Sequence, residues 1–271
     1  METKTLDLIM TTYNEDQDLL LRALKSLNDQ IFRDFRVIFV IEPNDKNLSF
    51  LKKYTKDKDY FLIIENKIKL GFVRSLNIGL EYADAKYIGR FDSDDFNTPE
   101  KFSRQIAFLE KNPDIGVIGT AIKFDTPAYA IRKYKENHQD IKKDFLFSNA
   151  VAHPTIIMRK RIIDQYGGYD ESFLFSEDLE LWLRFLKNGV KFYNLQESLL
   201  VYSIARRKKS RRDRVFIFKA RLKHCVGIFG INKGIASILV YGVISIIPSV
   251  LYEFLKSIFE KKIGNISRRR L

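Results

Sequence analysis

The sequence predicts an α/β fold with a doubly wound, mostly parallel sheet flanked by helices. Short apolar runs alternate with segments in which apolar residues recur every three or four positions. The run at 37–41 is apolar throughout, which is typical of a parallel strand buried on both faces. A chain of 271 residues can form one large domain with an appendage.

The first half contains the alternation on which this prediction rests. Its predicted elements are, in order, strand 6–10, helix 18–27, strands 37–41 and 61–64, helix 71–82, strand 87–91, helix 98–110 and strand 115–124. Thr98, Pro99 and Glu100 predict a helix start, with an N-cap, a proline at the first position and an acid in the first turn.

The second half is less regular. Its predicted elements are a helix near 139–147, a strand at 155–158, a turn at 167–170, a helix over 177–188 and two β-rich runs at 190–193 and 199–204. Ser176 is the predicted N-cap of the amphipathic helix, and Gly189 ends it.

Polar clusters follow three of the predicted strands, at residues 11–15, 42–45 and 92–95. Because ligands bind beyond the carboxyl ends of strands in such sheets, we expect the three clusters on one edge. Asp92, Asp94 and Asp95 repel one another unless a cation balances them, and oxygen ligands of this kind suit Mg²⁺ or Mn²⁺. The alternative is a solvated acidic turn.

The positive charge of the chain is confined to one end. Residues 206–271 carry 17 Lys+Arg and 3 Asp+Glu, whereas residues 1–205 carry 30 and 31. A nucleic-acid-binding protein would spread basic residues over its body, so we expect no nucleic-acid partner. One cysteine, Cys225, suits a reducing compartment, and the first residues lack the pattern of a signal peptide, which predicts a cytoplasmic protein.

Residues 206–271 combine a basic run at 206–212 with an uncharged stretch at 234–252 that contains Pro248. Glycine and serine dilute this stretch, so a membrane span fits less well than two helices in the membrane interface. Clustered Lys and Arg attract an anionic membrane surface. Two alternatives remain: a membrane-spanning helix, and a packed helical hairpin that could form a homo-oligomer interface.

The motifs of residues 5–205 together resemble the family 2 glycosyltransferases, which have the GT-A fold and build bacterial polysaccharides among other glycans. The matching segments are, in order, 11–15, 66–79, the DXD-like 92–95, His153-Pro154-Thr155, and 167–184 with Glu177-Asp178. The resemblance implies a catalytic domain over 1–205, with residues 206–271 as a membrane-associating tail.

The resemblance also implies where a nucleotide-sugar donor and a divalent cation, Mn²⁺ or Mg²⁺, would bind. Asp94 would ligate the metal, with Asp92 reaching the metal or the ribose, and Asp95 as a further ligand. The implied donor-binding residues are Thr11, Tyr13, Glu15, Glu42, Arg74, Asp92 and Ser93. Thr11 and Tyr13 match positions that hold a uracil ring, so the donor is predicted to be a UDP-sugar.

Glu177-Asp178 matches the family's ED motif, whose Asp is assigned as general base. Asp178 is therefore the predicted base and Glu177 the alternative, or a residue that orients the acceptor. One base acting opposite the leaving group implies inversion at the anomeric carbon. The predicted acceptor is a saccharide or lipid-linked saccharide of an envelope glycan, reached by peripheral association with the inner face of the cell membrane.

One departure and one other enzyme class limit this interpretation. The family often has a histidine after its last strand, and this sequence has none at 202–207, where an arginine could replace it. A nucleotide-sugar-binding or nucleotidyltransferase-like enzyme on a related sheet is the alternative function. The nucleotidyltransferase version predicts a glycine-rich loop after the first strand, whereas Thr11–Glu15 contains no glycine.

Overall fold

The computed structural model describes residues 3–126, 130–203, 210–249 and 251–252. One nine-stranded sheet crosses this part of the chain. Its strands are β1 (Leu6–Thr12), β2 (Phe35–Ile41), β3 (Phe61–Glu65), β4 (Tyr87–Arg90), β5 (Phe96–Asn97), β6 (Ile115–Phe124), β7 (Ile131–Arg132), β8 (Ile157–Arg159) and β9 (Lys191–Tyr202).

The helices of the described residues lie between and after these strands. They are α1 (Gln17–Asn28), α2 (Leu48–Thr55), α3 (Phe72–Glu81), α4 (Lys101–Lys111), α5 (His138–Asp144), α6 (Lys160–Tyr166), α7 (Glu177–Lys187), α8 (Arg211–Phe229) and α9 (Ile231–Ile246). The sequence patterns did not predict α2 and α6. The helix expected from Thr98 begins at Lys101, with Glu100 at the N-cap position.

The order of strands is β3-β2-β1-β4-β8-β6-β9-β5, and β7 pairs with β6. Strands β3, β2, β1 and β4 are parallel neighbours, so the loops after β1, β2 and β4 leave the same edge of the sheet, as expected. Strand β8 runs antiparallel to both β4 and β6, and β9 runs parallel to β6. The two predicted runs at 190–193 and 199–204 are one strand, β9.

Both faces of the sheet are buried, which the continuous apolar runs predicted. On β1 and β2, Ile9 and Ile38 belong to one hydrophobic cluster, and Leu8, Val37 and Phe39 belong to another on the opposite face. Successive side chains of a strand point to opposite faces, so an apolar run places apolar groups in both clusters. The sheet is therefore covered by helices on both sides.

Helices α8 and α9 form a helical hairpin, hereafter the C-terminal hairpin, that packs on α7. Ala220, Cys225 and Ile228 of α8 belong to the same buried cluster as the apolar residues of α7. The expected boundary between residues 205 and 206 lies outside the described residues. Among those described, no helix is long and apolar enough to cross a membrane.

The outer face of α9 is apolar and exposed. The large exposed side chains of this helix are Ile231, Ile235, Leu239, Val240, Val243 and Ile246. Most are spaced three or four residues apart, so they form one stripe along the helix. Gly234, Ser237 and Ser245 face inward and are buried. An exposed apolar surface of this kind is typical of a surface that binds a membrane or a partner.

Candidate active site

The loops after β1 and β2 are bonded to each other at the carboxyl edge of the sheet. Asn14, in the left-handed region at φ 57°, donates from its backbone N–H to Asp45 Oδ2 (3.1 Å) and accepts from Lys46 N at its Oδ1 (3.0 Å). Asn47 Nδ2 donates to the Glu15 carbonyl (2.9 Å). These bonds bring the first two predicted polar clusters together.

The predicted base-binding aromatic is accessible. Tyr13 is 47% exposed, and Lys69 Nζ lies 4.0 Å from the centre of its ring. Thr11 is the next-to-last residue of β1 and is half-buried, as is Glu15. An exposed aromatic face beside a cation can receive a nucleotide base by stacking, with the cation near the phosphates.

Glu42 is buried and holds the segment that leads into α3. Its Oε1 accepts from Gly71 N (2.6 Å) and Ser75 Oγ (3.0 Å), and its Oε2 accepts from Leu70 N (3.0 Å). Gly71 is at φ 84°, a conformation that glycine tolerates best. Both carboxylate oxygens are thus bonded to the start of α3.

We expect Glu42→Gln to destabilise the fold by about 1–3 kcal/mol, because the new amide NH₂ cannot accept from a backbone N–H. Urea denaturation would measure the loss. Glu65→Gln is the matched control, because Glu65 is exposed and paired only with Lys52 among the described contacts. Equal stability of the two variants would contradict the structural role of Glu42.

Three carboxylates converge after β4. One oxygen each from Asp92, Asp94 and Asp95 lies within 4.8 Å of the others. Asp95 is buried and accepts from Ser203 N at its Oδ1 (2.8 Å), which ties the loop to the end of β9. Ser93 is also buried. The donor set is three hard oxygen ligands, the kind that Mg²⁺ and Mn²⁺ prefer.

The electrostatics of this cluster favour a bound cation. Burial, reinforced by the charges of Asp92 and Glu15, raises the pKa of Asp94 to about 6. Burial and the neighbouring Asp92 and Asp94 raise the pKa of Asp95 to about 9. Oxygen Oδ2 of Asp95 has no hydrogen-bond partner within the described chain. A divalent cation would relieve this repulsion, so the residues fit a metal.

Two buried cations flank the carboxylates. Arg90 pairs with Asp92, and its guanidinium lies 5.3 Å from the Phe72 ring centre. Lys101, at the start of α4, is fully buried, and burial lowers its pKa to about 7 despite the opposing charge of Asp95. Lys101 was not among the site residues that the sequence predicted.

The ion pairs of Arg74 are with Glu171 and Glu81, and none of its described contacts is with Asp92, Asp94 or Asp95. Its Nη1 pairs with Glu171 Oε1 (3.0 Å) and Glu81 Oε1 (3.1 Å). Asn77 on the same helix also bonds to Glu171. A role of Arg74 at the phosphates therefore requires a change of partner, and it stays a prediction.

Glu177 and Asp178 begin α7. Ser176 occupies the N-cap position as expected, but it is left-handed at φ 56° and makes no side-chain capping bond. Asp178 accepts instead from Asn149 Nδ2 at its Oδ2 (2.6 Å) and from Leu179 N at its Oδ1 (2.7 Å). These two bonds fix the orientation of the Asp178 carboxylate at the start of α7.

Glu177 is held in its protonated form by its surroundings. Burial, and then the charge of Asp178, raise the pKa of Glu177 to about 8 from 4.5. The carboxyl group of Glu177 loses its proton near pH 4.5 in the unfolded chain and near pH 8 in the folded protein. The free energy of unfolding therefore falls as the pH rises from 4.5 to 8.

We therefore expect Glu177→Gln to raise the Tm of the metal-free protein at pH 8 by roughly 2 °C or more, with little change at pH 5. Thermal melts in a chelator across this range measure the difference. Asp164→Asn, at an exposed ion pair on α6, should change neither value. If Glu177→Gln melts below wild type at pH 8, ionised Glu177 does not destabilise the folded protein, and the prediction is contradicted.

One cavity of about 720 Å³ brings the two acidic centres together. Arg90 and Asp92 line one part of it, and Glu177 and Asp178 line another. The charge of Asp92 also acts on Glu177, as expected for neighbouring groups. The sequence predicted both centres; the structure adds Asn149 and the C-terminal hairpin, whose contacts join residues far apart in the chain.

His153 lines the cavity and packs against Trp182. His153 Nε2 bonds to the Tyr169 hydroxyl (2.8 Å), and the His153 ring lies 5.9 Å from that of Trp182. Burial and the charge of Arg90 hold the pKa of His153 well below its usual range. These contacts give both side chains a structural role beside the site.

Comparison with known proteins gives a consistent result. A family model described as Glycosyl transferase family 2 matches residues 7–167. An uncharacterized glycosyltransferase, MJ1057 of Methanocaldococcus jannaschii, is 28% identical over 97% of this chain and 96% of its own. The O-antigen biosynthesis glycosyltransferase WbnJ of Escherichia coli is 32% identical over 67% and 73%.

A third relative is UDP-Gal:alpha-D-GlcNAc-diphosphoundecaprenol beta-1,3-galactosyltransferase of Escherichia coli, 27% identical over 78% of each chain. Among solved structures, S. aureus TarS 1–349 in complex with UDP-GlcNAc matches 88% of this chain and 72% of its own, with 17% identity and a TM-score of 0.68. The match spans 43% of the longer TarS chain.

The mannosyltransferase PcManGT from Pyrobaculum calidifontis, in complex with GDP-Man and Mn²⁺, matches 95% of this chain and 80% of its own. Its identity is 12% and its TM-score is 0.65. At such identities the two structures show a shared fold.

Proposed function

Because this chain belongs to glycosyl transferase family 2 and has the GT-A fold, we propose that it transfers a hexose or N-acetylhexosamine from a UDP-sugar to a saccharide hydroxyl, with inversion. The observation that carries this proposal is the cavity in which Asp92 and the pair Glu177-Asp178 meet. A donor diphosphate would sit beside the first group and an acceptor hydroxyl beside the second.

The donor half of the site rests on the carboxylates after β4. Asp94 and Asp92 would hold Mn²⁺ or Mg²⁺, with Asp95 as a further ligand; a bound cation supplies Lewis-acid stabilisation for the leaving diphosphate. Arg90 fixes Asp92 in place through its ion pair. TarS binds UDP-GlcNAc and PcManGT binds GDP-Man with Mn²⁺ on the same fold, which supports this arrangement.

The nucleoside half rests on residues of the carboxyl edge. Tyr13 offers its exposed ring to the base, with Thr11 and Glu15 beside it. Glu42 fixes the loop before α3, which carries Lys69 next to the Tyr13 ring. Ser93 lies among the acidic residues, next to the ribose and phosphate positions that Asp92 would contact. The loop after β1 at this edge is not glycine-rich, and the composition of the edge suits a pyrimidine nucleotide.

Asp178 would remove the acceptor's proton during attack. Asn149 and the Leu179 N–H hold the Asp178 carboxylate in a fixed orientation, whereas burial raises the pKa of Glu177 to about 8. A positioned base contributes about 10²–10⁴-fold to such a step. Because attack comes from the side opposite the leaving group, one base suffices for a single displacement with inversion.

The acceptor belongs by this proposal to an envelope polysaccharide or oligosaccharide. WbnJ acts in O-antigen biosynthesis, and the related galactosyltransferase is named for a diphosphoundecaprenol-linked acceptor. The exposed apolar face of α9 and the basic residues of 206–271 would hold the enzyme on the inner, anionic face of the cell membrane.

A donor and acceptor screen tests the proposed function. The chain is melted with UDP- and GDP-sugars in Mn²⁺, and donors that raise its Tm are incubated with octyl glycosides of hexoses and N-acetylhexosamines. We expect one UDP-sugar to raise Tm and to be transferred, with one nucleotide diphosphate released per sugar. Absence of any nucleotide-dependent shift in Mn²⁺ or Mg²⁺ would overturn the proposal.

A further inference from the structure

The C-terminal hairpin forms one wall of the active-site cavity. From α8 come Asp213, Arg214, Ile217 and Arg221, from α9 Tyr241 and Ile244, and Tyr252 follows them. Residues 147–149 connect this wall to the predicted base. Asn149 donates to Asp178, Arg221 donates to the Ser148 carbonyl (3.2 Å), and Tyr241 donates to the Phe147 carbonyl.

Arg214 is a buried cation at this wall. It is 1% exposed, and it donates to the carbonyls of Ile244 (3.1 Å) and Ile247 (2.7 Å) and to Ser249 Oγ (3.3 Å). Its Nη1 has no hydrogen-bond partner in the part of the chain that the structure describes. The acceptors that fix it are neutral oxygens, so they orient the guanidinium without neutralising it.

Arg221 repeats this pattern about two turns further along the same face of α8. It is 1% exposed and donates to the carbonyls of Phe145 (2.7 Å), Leu146 (2.8 Å) and Ser148. Its guanidinium lies 4.0 Å from the Tyr241 ring centre. Because its donors are directed at backbone carbonyls, Arg221 holds the wall in place and adds to the positive charge there.

The cavity therefore has an acidic half and a cationic half. Asp92, Glu177 and Asp178 line the first, and that half has its own cation in Arg90. Arg214 and Arg221 line the second, where Asp213 is bonded to Ser210 in a capping box. In the part of the chain that the structure describes, the hydrogen-bond acceptors of both arginines are neutral oxygens, so an anionic group on the acceptor would pair with them.

The surroundings of Arg214 indicate what carries the anion. Its guanidinium lies 4.7 Å from the Tyr252 ring centre, and Tyr241 and Phe147 also line this half. Aromatic faces of this kind pack against sugar rings. On α9, Ile244 lines the cavity, while Val243 and Ile246 belong to the exposed apolar stripe, so the cavity adjoins a surface suited to hydrocarbon.

We propose that the C-terminal hairpin forms an acceptor subsite for a phosphate-bearing saccharide, in which Arg214 recognises the phosphate. A phosphate ester is the anion that joins a sugar to a lipid, and the apolar stripe of α9 would receive the lipid chain. This inference rests on the proposed function and names its acceptor class. Arg214 acts as a specificity-determining residue, apart from the groups that perform the transfer.

The test compares two acceptors that share one sugar, the sugar identified by the donor and acceptor screen. One is the octyl glycoside, and the other is the octyl phosphate ester of the same sugar. Wild type, Arg214→Gln and Arg214→Lys are assayed with both. Lys219→Gln is the matched control, because Lys219 lies on the same helix, is exposed, and rests over the Phe216 ring.

We expect wild type to prefer the phosphate ester, and Arg214→Gln to lower the ratio of the two kcat/KM values about tenfold or more. The loss should lie in KM for the ester, with the donor KM unchanged. Arg214→Lys should recover part of the ratio, and Lys219→Gln should leave it at the wild-type value. A ratio does not depend on how much variant is folded, so a destabilised variant still gives an answer.

Equal ratios in wild type and Arg214→Gln would overturn this inference, as would a wild type without preference for the ester. A raised donor KM in Arg214→Gln would assign the arginine to the donor diphosphate and overturn it as well. If no donor is transferred to any acceptor, the proposed function fails instead, so the two failures are distinguishable.

Discussion

Asp178→Asn should reduce the kcat of sugar transfer by about 10²–10⁴-fold, the usual contribution of a positioned general base. The substitution keeps the shape of the side chain, and its remaining oxygen can still accept from Asn149, so the helix start should persist. Binding of UDP with Mn²⁺ should match wild type, because the carboxylates after β4 are untouched. Calorimetric titration and initial rates give the two quantities.

Two comparisons sharpen this prediction. Asp164→Asn makes the same chemical change at an exposed ion pair on α6 and should leave kcat unchanged. Glu177→Gln should lose less activity than Asp178→Asn, because Glu177 is already protonated at neutral pH. A larger loss in Glu177→Gln than in Asp178→Asn would assign the role of base to Glu177. Near-normal turnover of both variants would exclude the pair as the base.

Asp94→Ala should lower kcat/KM by roughly 100-fold or more and weaken Mn²⁺-dependent nucleotide binding, because Lewis-acid stabilisation of the leaving group is worth several kcal/mol. The metal-free protein should lose no stability at pH 7–8. The reason is that Asp94 has a pKa raised to about 6 from 3.8, so its ionised form destabilises the fold above that range.

UDP titrations with Mn²⁺ and with a chelator, together with thermal melts, measure these effects. In the chelator, wild type and Asp94→Ala should bind nucleotide equally weakly. Asp34→Ala, at an exposed carboxylate near the start of β2, controls for the loss of one negative charge. Full activity of wild type in the chelator would contradict a metal site at Asp92–Asp95.

The sequence predicted the carboxyl edge of the sheet because local patterns determine it. Apolar runs such as residues 37–41 make buried parallel strands, and parallel neighbours place their following loops on one edge. The acidic cluster after β4 and the acidic pair at the start of α7 could therefore be identified as candidates from the sequence. That Asp92 and this pair line one cavity could be seen only from the fold.

Other features depend on contacts between distant residues, which no local pattern contains. The irregular run around Asn194 predicted a break between two strands, but β9 continues through it along β6. Asn194 is buried, and its amide donates to the carbonyls of Lys135 and Ala150. Arg74 resembles a phosphate contact in the sequence, yet Glu171, nearly a hundred residues later, pairs with it.

The C-terminal hairpin is the clearest example. From its basic and apolar composition, the sequence left three arrangements open: helices in the membrane interface, a membrane-spanning helix and a packed hairpin. The helix of residues 211–229 has polar and apolar residues on all its faces, so the pattern does not show which face is buried. Its position on α7 follows from buried contacts such as His224 with Glu180 (2.9 Å). Only these contacts reveal that the hairpin helps to form the cavity.

The anomeric configuration of the product tests the central claim most directly. The claim is that one base, Asp178, faces a donor held at Asp92–Asp95 across a single cavity, which allows only direct displacement. The transferred sugar is examined by NMR immediately after reaction with an α-linked UDP-sugar, using the coupling constant of its anomeric proton. We predict a β-linked product, and an α-linked product would contradict the account.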